Sequence, residues 1–554
     1  MNRKILAFIL LILLLAVPLT ATGQDMVSGP GEFPIVEEPI TLNILMLGHP
    51  IVEDFNTNTF TNWYSERTGI NLSFDIAPPN EAQEVLNLTI ASGDLPDIIV
   101  GFNVDPSTLA LFGPQGLFLP LSDLIEEHGH FIHDVFETSP QVCPLITSPD
   151  GEIYGLPQVN ECYHCFYSQR AWINSDWLAN VGMDVPQTTE EFVDVLTAFN
   201  EQDANGNGDP NDEIPLAAAT TGWNPTIDGF LMNPFVFSEF TGQNPGPNRF
   251  FEMNDGVISQ NVTSEGYRDG LKYLNRLFSL GLFGEESFTQ PMDQIKQQVE
   301  GGDAPTIGVV IAGAHSNFAN IGGDRWIKYV AVPSLEGPTG LRQAPYNPWG
   351  IGGFGQCTIN SQTEHPEAAF KWCDGLYDRE TTLRSVFGIP QWEAAEGEEG
   401  QWRWAEEGEP ALGGDEYESI WRRLSTFGTL QNVHWAQRGP SYRPNHLRLG
   451  EVRREDAAGL EVVLLENTRA SYEPYARAIE DLIPPLAFTT AQAQEVTELR
   501  LGIYDFAAQM TAEFVLGRRD IDAGWDDFVA TVESLGVNRV AEIYQAAYDA
   551  QYGG

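Results

Sequence analysis

EAQEVLNLTIASGDLPDIIVG, Glu81 to Gly101, predicts a helix, a turn and a strand in immediate succession. The helix should end near Ser92-Gly93, where glycine follows the last periodic residue. Asp97 to Val100 then reads as a short apolar run of the kind that makes a buried strand. Upstream, ITLNILML from Ile40 is a strand, and FTNWYSERTGINLSFDIA, Phe60 to Ala77, reads as helix, turn and second strand. Strand, helix, strand, helix, strand is the signature of an α/β domain built on a parallel sheet. Gln24 to Pro39, rich in Gly, Pro and Glu, reads as a flexible leader.

The chain of 554 residues is long enough for two or three domains with large cores. Its 29 basic and 78 acidic residues leave a net charge of −49. Such a surface repels phosphates, so nucleic acid and anionic membrane surfaces are excluded as partners. The N-terminus has the form of an export signal. Arg3 and Lys4 precede an apolar run from Ile5 to Val17, and Ala21-Thr-Gly23 offers small residues for cleavage. The expected signal is residues 1–23, with no cysteine at the cleavage point to carry a lipid. No later run is long enough to cross a bilayer. The mature protein is expected outside the cytoplasm, in a periplasm or the extracellular space. Disulfides are permitted there. The cysteines are Cys143, Cys162, Cys165, Cys357 and Cys373; their odd number leaves at least one thiol over, and their pairing stays open. Cys162-Tyr-His-Cys165 has redox spacing without a thioredoxin-like context, which favours a structural role.

Further along, FYSQRAWIN reads as a strand leading into a helix through Trp177. Thr188-Thr-Glu-Glu191 is a capping box, followed by Phe192, Val195, Leu196 and Phe199 at helical spacing. Tyr267 to Leu282 is amphipathic, Ala304 to Ala314 is a buried strand, and Tyr329 to Pro333 is a short one. Glu364 to Tyr552 reads as mostly helical.

The loop DANGNGDPNDEIP, Asp203 to Pro215, alternates oxygen-bearing side chains with small residues. Hard cations take six to eight oxygens, and alternate residues of a tight loop can converge on one. Counted from Asp203, an EF-hand pattern is met by Asp203, Asn205, Asn207, Gly208 at the sixth position and Asp209. It then departs, with Ile214 at the twelfth position and the acids Asp212 and Glu213 before it. A structural calcium ion held by Asp203, Asn205, Asn207, Asp209, Asp212 and Glu213 is expected. Which of Asp209, Asn211, Asp212 and Glu213 complete the cage is left open. The alternative is a run of Asx turns on an acidic surface.

No nucleophile, zinc-protease or phosphate-loop motif occurs. Gly350-Ile-Gly-Gly-Phe-Gly355 lacks the Lys-Ser/Thr of a phosphate loop and reads as a strand packed against neighbouring backbone. Aromatics stand beside turns and amides in Gly222-Trp-Asn-Pro225, Tyr346-Asn-Pro-Trp349 and His434-Trp435. Flat faces beside hydrogen-bonding groups suit sugar rings.

Five segments together resemble extracellular solute-binding proteins of ABC importers, family 1, in the large LplA-like branch. They are Ala91-Ser-Gly-Asp-Leu-Pro-Asp97-Ile-Ile, Tyr154-Gly-Leu-Pro157, Asp203 to Pro215, Val332-Pro-Ser-Leu-Glu-Gly-Pro338, and Gly517-Arg-Arg-Asp-Ile-Asp522 with Trp525-Asp-Asp-Phe. The resemblance implies an α/β, two-lobe periplasmic-binding-protein-like fold with crossing hinge strands and a helical C-terminal region. Lobe one would be 41–155 plus 350–385, and lobe two 156–349 plus 386–554. Crossings would fall at Tyr154 to Pro157, Tyr346 to Gly350 and Phe387 to Trp392. It also implies a monomer that captures an oligosaccharide or similar uncharged solute by hinge closure and delivers it to the membrane subunits of an ABC permease, without catalysis. Ligands of open α/β lobes bind beyond the carboxyl ends of strands. That rule nominates His49, Asn103, Tyr163, Trp223, Tyr346, Trp349 and Trp435. The competing readings are a secreted polysaccharide-active enzyme using a carboxylate pair, and a calcium-dependent adhesion protein.

Overall fold

The computed structural model describes residues 27–239, 248–414, 417–425, 430–454 and 459–552. The expected export signal, residues 1–23, lies outside the described residues, as do Gln24 to Met26. In chain order the strands are β1 (Ile40–Leu47), β2 (Ile70–Ala77), β3 (Ile98–Val104), β4 (Leu156–Asn160), β5 (Ala171–Asn174), β6 (Ile214–Ala217) and β7 (Phe251–Asn254). They continue with β8 (Val257–Gln260), β9 (Ile307–Ile311), β10 (Tyr329–Val332), β11 (Ile351–Ile359), β12 (Trp402–Trp404), β13 (Trp421–Arg423) and β14 (Ser441–Arg443).

A six-stranded sheet in the order β14-β4-β11-β3-β1-β2 forms the first lobe. β1 runs parallel to both β2 and β3, as the strand–helix alternation predicts. Its Leu42, Ile44 and Met46 enter one apolar core, and Leu45 and Leu47 enter another on the opposite face. A sheet buried on both faces needs such continuous apolar runs. β11 then inserts antiparallel between β3 and β4. A Cβ on Gly355 would lie 2.7 Å from both Cβ and the carbonyl oxygen of Val104. The glycine run is therefore a strand that approaches its neighbour closely.

The second lobe holds a four-stranded sheet, β10-β5-β9-β6. The capping box at Thr188 and Glu191 is formed, and it starts the helix Thr189–Glu201. Helices Thr490–Val515, Ile521–Ser534 and Val537–Tyr552 share this lobe's core through Phe514, Trp525, Phe528 and Tyr544.

Three expectations are corrected. Residues 27–39 are not a flexible leader: Ile35 and Val36 are buried in the first lobe, Val27 bridges to Val36, and Lys371 Nζ donates to the carbonyls of Ser28 (2.6 Å) and Gly29 (2.5 Å). Three apolar side chains anchor a segment whose Gly and Pro content resembles a linker. The chain after residue 385 does not pass straight into lobe two. A hairpin of β12 and β13 with its own small core comes first, then β14 adds to the edge of the first sheet parallel to β4. The third passage is the helix Leu460–Ser471, whose Leu464 reaches the second core. Finally, the helical span Glu364 to Tyr552 is interrupted: helices Pro366–Asp374 and Arg379–Phe387 open it and those from Leu460 onward close it, but β12, β13 and β14 occupy its middle.

Trp435, expected at the ligand cleft, belongs to the first core. It is 0% exposed, packs edge-on against Phe60 at 4.8 Å, and its Nε1 donates to Thr61 Oγ1 at 2.8 Å. Trp435→Ala should cost about 3–5 kcal/mol of stability in urea unfolding followed by circular dichroism. Unchanged stability would place the indole outside the core.

Candidate ligand cleft and cation loop

Between the lobes lies a cavity of about 590 Å3. Its floor is made where the chain crosses: Asn160 at the end of β4, and Gly350, Ile351 and Gly352 at the start of β11. The first lobe contributes Asp105 to Ser107, just beyond β3, and Thr147 to Pro149. Asp105 is fixed by its own helix, accepting from the backbone N–H groups of Ser107 (2.9 Å) and Thr108 (3.1 Å). The second lobe supplies Phe166, Ser168, Trp223, Glu239, Asn248 and Asn347. The C-terminal region closes one side with Ile483 to Phe488, Arg500 and Tyr544. Aromatic and aliphatic walls with a few placed amides, hydroxyls and charges are the makeup of a small-molecule site.

Of the residues nominated from sequence, Trp223 and Trp349 line this cavity. Gly313 donates its N–H to the Trp223 carbonyl at 2.7 Å, and a Cβ at Gly313 would collide with the Trp223 indole. The backbone beneath this ring thus sets its position. Tyr346 stands one layer back. It stacks on Tyr167 at 4.7 Å and meets the edge of Phe166, which does face the cavity. Tyr163 pairs with Tyr167 at 6.3 Å, outside the lining. Asn103 lies outside it as well; its side-chain oxygen accepts from Gln356 Nε2. His49 is not among the residues lining the cavity. Burial and the nearby Arg438 push its imidazole down to about 4, so it is neutral. Its Nδ1 accepts from the Ile51 N–H at 3.3 Å, which leaves it with a local role at the end of β1.

Sequence reasoning missed Asp105, Glu239, Asn248, Phe488, Arg500 and Tyr544. Glu239 is 5% exposed, and Asn248 Nδ2 donates to its Oε2 at 3.3 Å. Among the described residues no cation pairs with it, and burial pushes its carboxyl up to about 7. A carboxyl so poised both donates and accepts hydrogen bonds near neutrality, which matches a sugar hydroxyl.

The cation loop lies apart from the cavity, between the helix Thr189–Glu201 and β6. Asn207 and Asp209 donate their N–H groups to the side-chain oxygens of Asn205 and Asn207, at 2.8 Å each, so successive Asx turns curl the loop. Asn205 and Asn207 Nδ2 donate to the two oxygens of Asp212, at 2.9 and 2.7 Å. Asp203 Oδ1 and Glu213 Oε2 are buried without a hydrogen-bond partner. Burial, with Asp212 and Asp203 adding to it, raises the Glu213 carboxyl above its ordinary value. Crowded carboxylates with orphaned oxygens fit a hard cation. Asp209 is turned toward its own neighbour, where Oδ1 accepts from Asn211 N (3.2 Å) and Nδ2 (3.0 Å).

Cys162 is bonded to Cys165 and Cys357 to Cys373, and Cys143 is the free thiol.

The model of the bacterial extracellular solute-binding protein family matches residues 50–381. Over 96% of its length the chain is 24% identical to the fructooligosaccharide ABC transporter substrate-binding protein FusA of Streptococcus pneumoniae serotype 4, covering 94% of that protein. Among solved structures, an EF-hand mutant of S. pneumoniae FusA in complex with fructo-nystose superposes with a TM-score of 0.77 at 22% identity, covering 93% of this chain and 99% of that one. The alginate-binding protein AlgQ2 without calcium ion superposes with a TM-score of 0.67 at 21% identity, covering 93% and 99%.

The pH response of stability tests the setting of Glu239. Its value in the folded protein lies above the ordinary 4.5. The native state therefore holds this proton more tightly than the unfolded chain. The resulting stabilisation is complete below about 4.5 and is lost as pH rises through about 7. Glu239→Gln, which cannot ionise, should gain in melting temperature relative to the parent as pH is raised across that window. Parallel melting profiles would show that the carboxyl is not buried as described.

Proposed function

The chain belongs to the bacterial extracellular solute-binding proteins, and we propose that it captures an oligosaccharide between its lobes and hands it to an ABC permease. The observation that carries this reading is the cavity at the crossing strands, with Trp223 on its second-lobe wall and Trp349 on the crossing segment. Indole faces take the C–H faces of sugar rings, while Asn160, Asn248, Asn347 and Glu239 offer partners to hydroxyls. Binding at a hinge couples occupancy to closure, because only the closed form contacts the ligand from both lobes. The bound sugar leaves unchanged: the family binds and releases, which displaces the polysaccharide-active enzyme as the alternative. Delivery places the protein outside the cytoplasm, at a periplasmic or outer surface, as a monomer that meets the permease's membrane subunits. No described helix is long and apolar enough to cross a membrane.

The loop Asp203 to Glu213 holds a structural calcium ion in this reading. Asp203 and Glu213 would hold it through the oxygens that lack protein partners, together with Asp212. Asn205 and Asn207 would contribute side-chain oxygens once their amides turn from Asp212. The ion would neutralise the acids and pin the entry to β6; it has no part in holding the sugar, since the loop is outside the cavity.

A thermal-shift screen against neutral oligosaccharides tests the binding role, since a ligand that binds only the native state raises the melting temperature by mass action. A shift is expected for the parent protein and a much smaller one for Trp349→Ala, with the sugar recovered intact. Sugar fragments in the recovered material would contradict the reading. Chelation should lower the melting temperature of the parent and leave that of Asp203→Asn nearly unchanged. Equal melting of the parent with and without chelator would remove calcium from the account.

A further inference from the structure

A second hollow, of about 550 Å3, opens beside the β12–β13 hairpin and shares no residue with the cleft. Arg379, Trp404, Tyr417, Glu418 and His446 line it. Arg379 begins the helix Arg379–Phe387, Trp404 ends β12, and His446 lies on the helix Asn445–Leu449. With Tyr417 and Glu418, which precede β13, four separate stretches of chain converge there.

The arginines around this hollow are engaged by carboxylates. Arg384 pairs with Glu380 and Glu393, Arg403 and Arg422 share Glu409, Arg423 pairs with Glu451, and Arg448 with Glu461. Arg379 differs. Among the described residues no hydrogen bond or ion pair reaches its guanidinium, which lies over the Trp404 ring at 4.5 Å. Glu380 follows it in sequence and Glu418 lines the same hollow, yet neither pairs with it. In a chain with 49 excess negative charges, a cation left without a carboxylate is available to a ligand that brings one. Arg379 is itself exposed at the hollow, and no neighbouring acid raises its proton affinity. Desolvation and the neighbouring Arg379 lower the His446 imidazole, and Arg379 is the one guanidinium lining the hollow. Trp404 remains 37% exposed beside it.

We propose that this hollow is a second binding site, for a carboxylated sugar ring of the uronate class. The planar guanidinium offers a fork of N–H donors that matches a carboxylate with two parallel hydrogen bonds. The exposed indole surface takes the C–H face of the ring. The Tyr417 hydroxyl, the His446 imidazole and the Glu418 carboxylate are the partners for ring hydroxyls. A neutral sugar lacks the group that Arg379 awaits, and a simple carboxylate lacks the ring that Trp404 would cover. The proposal does not depend on the cleft reading, because the two sites have no residue in common.

Titration calorimetry with galacturonate tests it, with galactose as the neutral control and with three proteins: parent, Arg379→Met and Arg379→Lys. The parent should bind galacturonate, more weakly as salt is raised, and should bind galactose far less. Arg379→Met should weaken galacturonate at least about tenfold, the effect of losing a charge-assisted hydrogen-bond pair. Arg379→Lys should fall between, because a point charge replaces the fork. An unaltered melting temperature in both variants shows that they fold. Galacturonate affinity that survives in Arg379→Met lies elsewhere on the protein and overturns the proposal. So does the absence of binding to the parent, or equal affinity for galactose.

Discussion

The architecture depends on how closely β11 can approach β3. Gly355 sits against Val104 with no room for a side chain, and this contact lets a strand arriving from the second lobe take the middle of the first sheet. β11 pairs with β4 on its other side. The two strands that join the lobes therefore run side by side, and their second-lobe ends form the cavity floor at Asn160 and at Gly350 to Gly352. The proposed hinge and the proposed ligand site are therefore one structure. A side chain at Gly355 would push β11 from β3 and move the floor of the cavity.

Charges buried beside the hinge hold the third passage of the chain to the first two. Glu461, on the helix that enters lobe two, faces His164 at 3.4 Å, Arg448 at 3.4 Å and Arg423 at 3.6 Å. Arg448 in turn donates to Asn160 Oδ1 at 3.0 Å, and Asn445 donates its N–H to Glu161 Oε2 at 2.9 Å. Ions removed from water at this depth add little net stability, but removing one partner leaves the rest uncompensated. Such a network restricts the geometry of the crossing more than it strengthens the fold. The acidic surface elsewhere is solvated and free of this constraint.

How much was legible in the sequence follows from which interactions are local. β1 and β3 were readable as apolar runs of a sheet buried on both faces, the edge strand β2 by its alternation of apolar and polar residues, and Gly93 marks the helix end before β3. The turns of the loop Asp203 to Pro215 were readable because its side chains bond within thirteen residues of each other. Trp223 and Trp349 were found beside turns. The same reasoning picked Trp435, since an indole next to a histidine looks alike in a core and in a cleft; only its packing on Phe60 and Phe74 separates them. Glu239, Arg500 and Tyr544 carried no local mark. They meet across hundreds of residues, and one carboxylate among 78 acids is invisible until burial singles it out. β14, three residues long, gives no periodicity to detect. The anchoring of residues 27–39 was hidden by a composition shared with linkers.

The central claim is that one oligosaccharide is held between the lobes at the crossing strands. A crystal structure of the protein grown with the sugar that most raises its melting temperature tests this most directly. The account predicts an intact oligosaccharide in the cavity, in contact with Trp223 and Trp349 and with residues of both lobes. A sugar bound outside that cavity, or one touching a single lobe, would contradict it.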